Sequence, residues 1–571
     1  MPCPDLGGTS RLVDLLAVGL RNFLWADRLA AFSKTSWLRA SFPRAASAGA
    51  CPIALESGHG LSHNPAESDS LVLCLRHARR RVTAIAKVDA ILAPQSHRCS
   101  TELVRLGLRQ LARGVYAVLS GLVALGLLCW PIICGAQMVG PTPQPQGVPV
   151  TAEQAEQVQP ETWAVHGQAT NVWLLQPAFR SPYQGPHSLS AATNGRETID
   201  ATLYTGIRPW PDAEIWINPE IDQGFGLSNT FGVAGYPSGE AFKVGKADPY
   251  FLVQRGFLRQ TVNLGGETEK LEPDLNQLGG TQTANRLVFT IGKYSIVDIF
   301  DTNTYAHDAR NDFFNWSIID QGAFDYAANS WGYTYGGAAE WYQDWWTARA
   351  GVFDMSLVPN SDKLSPGFAQ GQFVAELEER HKVWDQPGKL KFLYWLTRGN
   401  LGTYLDAIAL GSATSQTPST GAVRRFRTKD GFGLNLEQQL ASDFGIFARG
   451  SMSQGTVEEV DFTDINQSIS AGISLTGARW GRPDDTVGLA GAVNRISHQG
   501  KLYLAAGGLG GIIGDGQLPN AGPEQILEVY YRVPVFSFAH FTVDYQFINH
   551  PAYNRDRGPV SIFGLRTRVQ F

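Results

Sequence analysis

Acidic residues and a histidine are concentrated in residues 296–331. Two carboxylates, Asp298 and Asp301, could form the acid and base pair of a hydrolase, and an oxygen-rich loop could also bind Ca²⁺. His307 beside Asp308 could be a base or a metal ligand, although a hydrogen bond that fixes the loop shape is the simpler interpretation. No strained nucleophile motif accompanies these residues. We therefore predict no catalytic residues, no metal site and no cofactor, while Ca²⁺ binding by the aspartates stays open.

The elements that must position these side chains have the alternation of β-strands. Successive side chains of a strand point to opposite faces, and in the last strand of the chain one face is mostly apolar and the other polar. The apolar face carries Phe563, Leu565, Thr567, Val569 and Phe571, and the polar face carries Gly564, Arg566, Arg568 and Gln570. Earlier segments, among them 199–208, 469–476 and 541–547, alternate in the same way. Faces charged this consistently cannot form a dry core, so they must meet water, and the apolar faces must meet lipid or a second protein layer.

Loop lengths and composition favour a membrane barrel over a soluble sandwich. The link at 209–212 is short and those near 176–198, 221–249 and 296–335 are long, as in outer-membrane barrels with short periplasmic turns and long external loops. The segment 263–285 does not fit, because a short turn is expected there. Mean hydropathy is −0.14, too polar for membrane helices but compatible with a barrel. The net charge of −5 gives no sign of nucleic-acid binding.

Strand parity predicts the environment of individual side chains. Lipid is predicted to meet Leu203, Ile215, Ile291 and Val543, and water to meet Glu220, Arg286, Glu376 and Asp544. The tryptophans Trp341, Trp345 and Trp346 are predicted to belong to an interfacial aromatic girdle.

The first part of the chain differs from the rest. All six cysteines precede Ala136. This suits an exported protein that avoids thiols in an oxidising compartment, and a cytosolic protein that happens to lack cysteine in this region is the alternative. Residues 102–136 have the basic start, apolar run and small residues of a signal peptide; a membrane anchor is the alternative. Because this signal is far from Met1, we interpret residues 1–101 as a mis-assigned upstream stretch or a disordered extension. Residues 137–160 are predicted to be a Pro/Gln-rich periplasmic segment with a short helix near 151–159, and 161–571 to be the barrel.

Short motifs follow one another along the predicted barrel. They are HGQAT at 166–170, NPE at 218–220, GFGL at 224–227, GEA at 239–241, DIFDTN at 298–303, YAHDAR at 305–310, NW at 315–316, WGRP at 480–483, GDG at 514–516, DYQ at 544–546 and NRDRGPV at 554–560. Each is weak alone, but their number and order resemble the carbohydrate-selective outer-membrane porins of the OprB type. The resemblance covers residues from about 160 to 571.

The resemblance implies an all-β fold, a transmembrane antiparallel β-barrel of sixteen strands in the bacterial outer membrane. It also implies long external loops, one of which, 296–331, folds inward and narrows the channel. The implied function is a water-filled channel for passive, carbohydrate-selective diffusion of mono- and small oligosaccharides. Charged groups would bind sugar hydroxyls, and rings would bind apolar sugar faces.

Candidate site residues are drawn from this loop and from the facing wall. The pore constriction candidates are Asp298, Asp301, Asp308, Arg310, Arg255, Arg259, Arg286 and Glu220, and the sugar-stacking candidates are Tyr305, Phe313 and Trp316. Arg255 and Arg259 share strand parity, so they could line the lumen and pair with Glu214 or Glu220, or they could only hold the barrel wall.

Expected partners are small-molecule sugars, outer-membrane lipid, and the barrel-assembly machinery acting through the C-terminal strand that ends at Phe571. The protein would be a monomer or a homotrimer. The alternative function is an outer-membrane β-barrel enzyme acting on lipid or glycan, but no nucleophile and base are evident on adjacent strands. A soluble β-sandwich would leave the polar stripes unexplained, and an energy-coupled receptor would need a longer plug before the strands.

Overall fold

The computed structural model describes residues 147–241, 245–461 and 463–571. The chain divides into two units, Met1–Ala124 and Leu125–Phe571, and every described residue lies in the second. The interpretations of 1–101 as an upstream stretch and of 102–136 as a signal peptide lie outside the described residues, as does the Pro/Gln-rich part of 137–160.

Strands dominate the described chain, with four α-helices between them. The strands are β1 Val148–Pro149, β2 Trp163–Gln176, β3 Asn194–Ile207, β4 Ala213–Gly224, β5 Lys246–Leu271, β6 Gly280–Tyr294, β7 Thr334–Tyr342, β8 Trp346–Asp354, β9 Gly371–Val383, β10 Gln386–Leu401, β11 Arg425–Ala441, β12 Phe444–Ser453, β13 Gln467–Gly477, β14 Arg482–Arg495, β15 Glu524–Phe536, β16 Ala539–Asn549 and β17 Val560–Gln570. The helices are α1 Ala152–Gln157, α2 Trp316–Ile319, α3 Tyr404–Thr414 and α4 His498–Ala505. Helix α1 confirms the short helix predicted near 151–159.

Sixteen strands, β2 to β17, close into an antiparallel barrel. Each pairs with the next, and β17 pairs with β2, with Leu565 opposite Trp173. The last residue completes the seam: the Phe571 N–H donates to the Gly167 carbonyl at 2.9 Å, and the Gly167 N–H donates to the Phe571 carbonyl at 2.8 Å. The Phe571 ring covers Gly167 so closely that a Cβ there would lie 2.5 Å from Cζ. The predicted sixteen-stranded barrel is confirmed.

The two faces of the barrel have the predicted parity. On the outside, Ile291 is 63% exposed and Val543 is 49% exposed. The outer face is thus apolar, as required against lipid. On the inside, Glu376 and Asp544 point into the barrel but are buried. The prediction that the inward set, including Glu220 and Arg286, meets water is wrong. Loops that fill the lumen cover most of these side chains, and Arg286 is buried against Tyr342 and Glu269 of the neighbouring strands.

The connections alternate as expected. Turns are short at 208–212, 343–345, 384–385, 442–443, 478–481 and 537–538, and the loops between the other strand ends are long. The exception at 263–285 has a clear cause: β5 and β6 continue beyond the barrel as an extended hairpin that pairs Leu271 with Gly280, leaving a turn at 272–279. The two-residue strand β1 pairs with the extension, Val148 opposite Lys270.

Loop L3, residues 295–333, folds into the lumen as predicted. Carboxylates of the wall accept hydrogen bonds from its backbone: Glu376 from the Asp301 N–H at 2.8 Å, Glu437 from the Thr304 N–H at 2.7 Å. Glu528 accepts from the N–H groups of Phe314 and Asn315 at 2.5 and 3.0 Å. A loop inside a barrel has no sheet partners for its amides, so these carboxylates satisfy groups that would otherwise be buried without partners.

The hydrophobic core therefore sits inside the barrel, between L3 and the wall. The ring of Phe324 packs against Trp395 of β10 with centroids 4.9 Å apart. Trp316 stacks on Tyr236 of the loop after β4 at 5.3 Å. None of the helices in the described ranges is long and apolar enough to cross a membrane.

Candidate functional site

A cavity of about 330 Å³ remains inside the filled barrel. It lies between L3, the inner faces of β3, β5 and β6, and the turn at 272–279. The wall contributes Tyr204, Arg255, Phe257, Arg259 and Tyr294, L3 contributes Asp298, His307, Asp308, Arg310, Trp316, Asp320 and Tyr333 among others, and the turn contributes residues 274–277. The cavity thus gathers charged and aromatic side chains that are far apart in sequence.

Arg255 and Asp298 form the best-defined ion pair of the cavity. Asp298 accepts from Arg255 Nε at 2.8 Å and from Nη2 at 2.6 Å, a two-pronged geometry that fixes both groups. Asp298 also accepts from the Ser295 N–H at 3.0 Å, which joins the pair to the first turn of L3. The guanidinium lies 5.0 Å from the ring centre of Tyr333. Both charges remain partly exposed, 13% for Arg255 and 30% for Asp298, so a ligand can reach them.

Arg310 joins L3 to carboxylates of β3, β4 and the β4–β5 loop. Its guanidinium lies 3.2 Å from Asp200, 3.3 Å from Glu220 and 3.1 Å from Glu240. Burial alone would lower the pKa of Arg310, but the three carboxylates raise it well above its ordinary value. Of the three carboxylates, Glu240 lines the cavity together with Arg310. Glu220 is itself fully buried behind Arg310.

Arg259 belongs to the cavity and Arg286 does not. Arg259 pairs with Glu214 at 3.2 Å and donates to the backbone carbonyl of Asn276 at 2.8 Å. Arg286 is buried against Tyr342, 3.9 Å from the ring centre, and lies 3.5 Å from Glu269. Arg286 therefore stabilises the wall at the base of the extended hairpin and does not line the cavity.

The aspartates of L3 have separate roles. Asp301 is fully buried, where it accepts from the Gln321 N–H at 2.7 Å and lies 3.3 Å from Arg449, so it holds the loop and does not line the cavity. Asp308 does line it and pairs with Arg568 at 3.2 Å. Burial alone would raise the pKa of Asp308, but Arg568 and Arg310 hold it below its ordinary value.

His307 does not pair with its neighbour in sequence. Its Nδ1 lies 3.6 Å from Asp320, and its backbone N–H donates to Asp312 at 3.2 Å. Burial alone would lower the pKa of His307, but the carboxylate of Asp320 raises it. The histidine thus takes part in fixing the loop. Among the residues that the structure describes, no group of histidine, cysteine, aspartate and glutamate has the arrangement of a metal site.

The predicted sugar-stacking rings are mostly in the core. Phe313 is fully buried between Phe447 and Tyr530, with ring centres 5.6 and 4.9 Å away. Phe313 therefore offers no free face, because the inward strand residues of the wall enclose it. Tyr305 is half-buried against the wall and does not line the cavity. Trp316 does line the cavity, although most of its ring is covered.

Other rings, not chosen from the sequence, line the cavity instead. They are Tyr204, Phe257, Tyr294, Tyr326, Trp331 and Tyr333. Tyr204 could have been predicted to point inward, because it alternates along β3 with the outward Leu203. No local pattern indicated Trp331, whose indole N–H donates to the Tyr250 hydroxyl at 2.9 Å.

Comparisons with known proteins agree with this geometry. The sequence profile of the OprB family of carbohydrate-selective porins matches residues 186–571. The high-pH structure of Pseudomonas putida OprB is similar at 15% identity with a TM-score of 0.55, covering 72% of this chain and 94% of that chain. The outer membrane channel DcaP of Acinetobacter baumannii matches at 9% identity with a TM-score of 0.39, over 72% of this chain and 97% of that one. No curated protein matches the chain by sequence. At 15% identity the likeness to the Pseudomonas putida OprB structure shows the fold alone.

Proposed function

Since the chain belongs to the OprB family of carbohydrate-selective porins and is a protein of the bacterial outer membrane, we propose that it forms a water-filled channel for passive diffusion of mono- and small oligosaccharides. Family and fold point to a channel rather than to an enzyme. No observation on the described residues favours the alternative of a barrel enzyme acting on lipid or glycan.

The observation that carries the proposal is the make-up of the cavity between L3 and the wall. Its volume of about 330 Å³ is at the lower end of the ~300–1,000 Å³ of small-molecule sites, a size for one or two sugar rings. Partly exposed ion pairs such as Arg255–Asp298 offer both donors and acceptors to hydroxyls. The partly exposed ring of Trp331 offers apolar contact to the C–H side of a sugar.

The pairing of charges supports selectivity for neutral solutes. Arg255 is opposite Asp298, Arg259 is opposite Glu214, and Arg310 faces three carboxylates. A neutral sugar can exchange hydrogen bonds with such pairs without separating them, whereas an ion of either sign meets a repelling partner. We assign the constriction to Asp298, Asp308, Arg310, Arg255 and Arg259, with Glu220 holding Arg310 in place.

The test is swelling of proteoliposomes in a panel of solutes of equal osmolarity. Glucose should enter faster than gluconate or glucosamine, and Asp298→Asn should slow glucose entry because the two-pronged pair is lost. Arg286→Ala is the matched control, since Arg286 does not line the cavity. Glucose entry no faster than in protein-free liposomes, from protein that conducts KCl in bilayers, would exclude the proposed function.

The remaining partners follow from the surface of the barrel. The exposed apolar side chains of the outer face, such as Ile291 and Val543, are proposed to contact outer-membrane lipid. The strand that ends at Phe571 is proposed to be the segment that the barrel-assembly machinery recognises. The assembly is proposed to be a monomer or a homotrimer.

A further inference from the structure

The turn at 272–279 enters the lumen from the end of the barrel opposite to L3. Residues 274–277 line the same cavity as L3. Leu278 is fully buried in the cluster that contains Trp216, Tyr204 and Ala164. A periplasmic turn that only joined two strands would lie outside the barrel in water, so the inward position of this turn needs an explanation.

Hydrogen bonds to the wall hold the turn in this position. Asn276 adopts a left-handed conformation, with φ of 57°, which non-glycine residues rarely adopt without support. Its carbonyl accepts from Arg259 at 2.8 Å, and its side-chain oxygen accepts from the Asn218 amide at 2.9 Å. The Leu278 N–H donates to Glu214 at 3.3 Å. Both members of the Arg259–Glu214 ion pair therefore hold the turn at 272–279 in place.

A second set of bonds fixes the turn to the rim. The Gly279 N–H donates to the Glu161 carboxylate at 2.8 Å, and the Glu161 N–H donates to the Gly279 carbonyl at 3.0 Å. Arg208 donates to both carbonyls, to Glu161 at 2.8 Å and to Gly279 at 3.2 Å. The segment before β2 and the β3–β4 turn therefore both hold the tip of the extended hairpin. The turn at 272–279 is thus a fixed part of the channel.

One polar group of the turn is available to a ligand. Asp274 lines the cavity, and within the described residues its carboxylate makes one hydrogen bond, to the Leu275 N–H at 2.7 Å. The amide of Gln277, in contrast, is engaged with the Glu272 carbonyl at 2.6 Å. A carboxylate with unused acceptor positions suits a solute rich in hydroxyl groups.

We propose that the turn at 272–279 is the periplasmic floor of the sugar site, a second constriction that limits the length of the saccharide that passes, with Asp274 as its sugar-binding acceptor and Leu278 as its anchor. This deepens the proposed function and rests on it. A single ring can turn within the cavity between L3 and the floor, whereas a longer chain must thread past both at once.

The decisive variant replaces residues 272–279 with Asn-Gly. Leu271 and Gly280 are already paired, so a two-residue hairpin turn can close the extension. The matched control is Trp384→Asn with Asp385→Gly, which places the same dipeptide in the β9–β10 turn, where Trp384 is 79% exposed. We expect the floor replacement to raise single-channel KCl conductance by about twofold or more and to raise the ratio of maltotriose to glucose entry, and the control to change neither.

Two outcomes would overturn the proposal. Unchanged conductance would show that the turn does not narrow the channel, and higher conductance with an unchanged maltotriose-to-glucose ratio would exclude a role in size selection. If the replacement does not form channels, two single variants test the same proposal. Leu278→Gly removes the buried side chain that anchors the turn and should raise KCl conductance. Asp274→Asn removes the charged acceptor and should weaken the block of KCl current by glucose. A wild-type channel that conducts KCl but passes no sugar would instead refute the proposed function, while the KCl comparison would still test the floor.

Discussion

Ion selectivity should follow the charges that line the cavity, and two arginines should decide its sign. Four arginines and six carboxylates line it, so the formal charge is −2 with His307 neutral. Replacing Arg255 and Arg259 by alanine leaves two arginines against the six carboxylates. At about 4 Å in water, one unit charge changes the energy of an ion by about 1 kcal/mol, about fivefold in occupancy. Because cations gain about fivefold and anions lose about fivefold with each arginine removed, the cation-over-anion permeability ratio should rise by up to about 25-fold for each arginine that the ion passes at about 4 Å.

Planar-bilayer recordings under a KCl gradient measure this change directly. The double variant should move the reversal potential toward the potassium equilibrium potential, and Asp298→Asn, which frees Arg255, should move it the other way. The shift in reversal potential should be smaller in concentrated salt, since at 1 M salt the influence of a charge extends over only about 3 Å. Arg286→Ala, a buried arginine outside the cavity, is the control. A double variant with the reversal potential of the wild type, or one shifted toward chloride, would refute the assignment of the constriction to this cavity.

Three further outcomes are expected. Ile291→Arg, on the exposed outer face, should lower the free energy of unfolding in lipid by about 2–4 kcal/mol, as measured by urea titration, whereas Ile291→Leu should not. Burial raises the pKa of Asp274 to about 6, although the Leu275 N–H and Arg568 partly lower it; its charge is therefore present above that pH and lost below it. Cation preference should fall between pH 7.5 and pH 5, and Asp274→Asn should make this fall smaller. The mature protein should begin near Gln137, and recovery of peptides from residues 1–100 in outer-membrane fractions would contradict this.

The architecture could be predicted from the sequence because the side-chain alternation of a strand is local. The outward positions of Leu203 and Ile291 depend only on parity along one strand. Loop L3 was predicted within two residues of its observed limits, 295–333, since a long polar segment between two strands has few alternatives. Strand parity did not predict solvent exposure: Glu376 points inward as predicted, but a loop covers it and keeps it from water.

The site was only partly predictable, because side-chain directions in an irregular loop depend on distant residues. Asp298 and Asp301 are three positions apart, yet one faces the cavity and the other faces Arg449, far along the chain on β12. Phe313 is buried because Tyr530 and Phe447 happen to enclose it. The position of the turn at 272–279 could not be predicted for a related reason. The length of segment 263–285 showed only that it was too long for a simple turn, and no local pattern indicated that its tip returns into the barrel.

The carboxylates that hold L3 impose an order on assembly. The loop follows β6, but Glu376, Glu437 and Glu528, which accept its backbone N–H groups, lie on β9, β11 and β15. The bond from Phe314 to Glu528 joins residues 214 positions apart, and contacts over such separations form late because the chain must first bring its ends together. L3 can therefore reach its final position only when nearly the whole wall is in place. An incompletely closed barrel would be a wide, unselective opening in the membrane, so narrowing of the passage by L3 is expected to come late in folding.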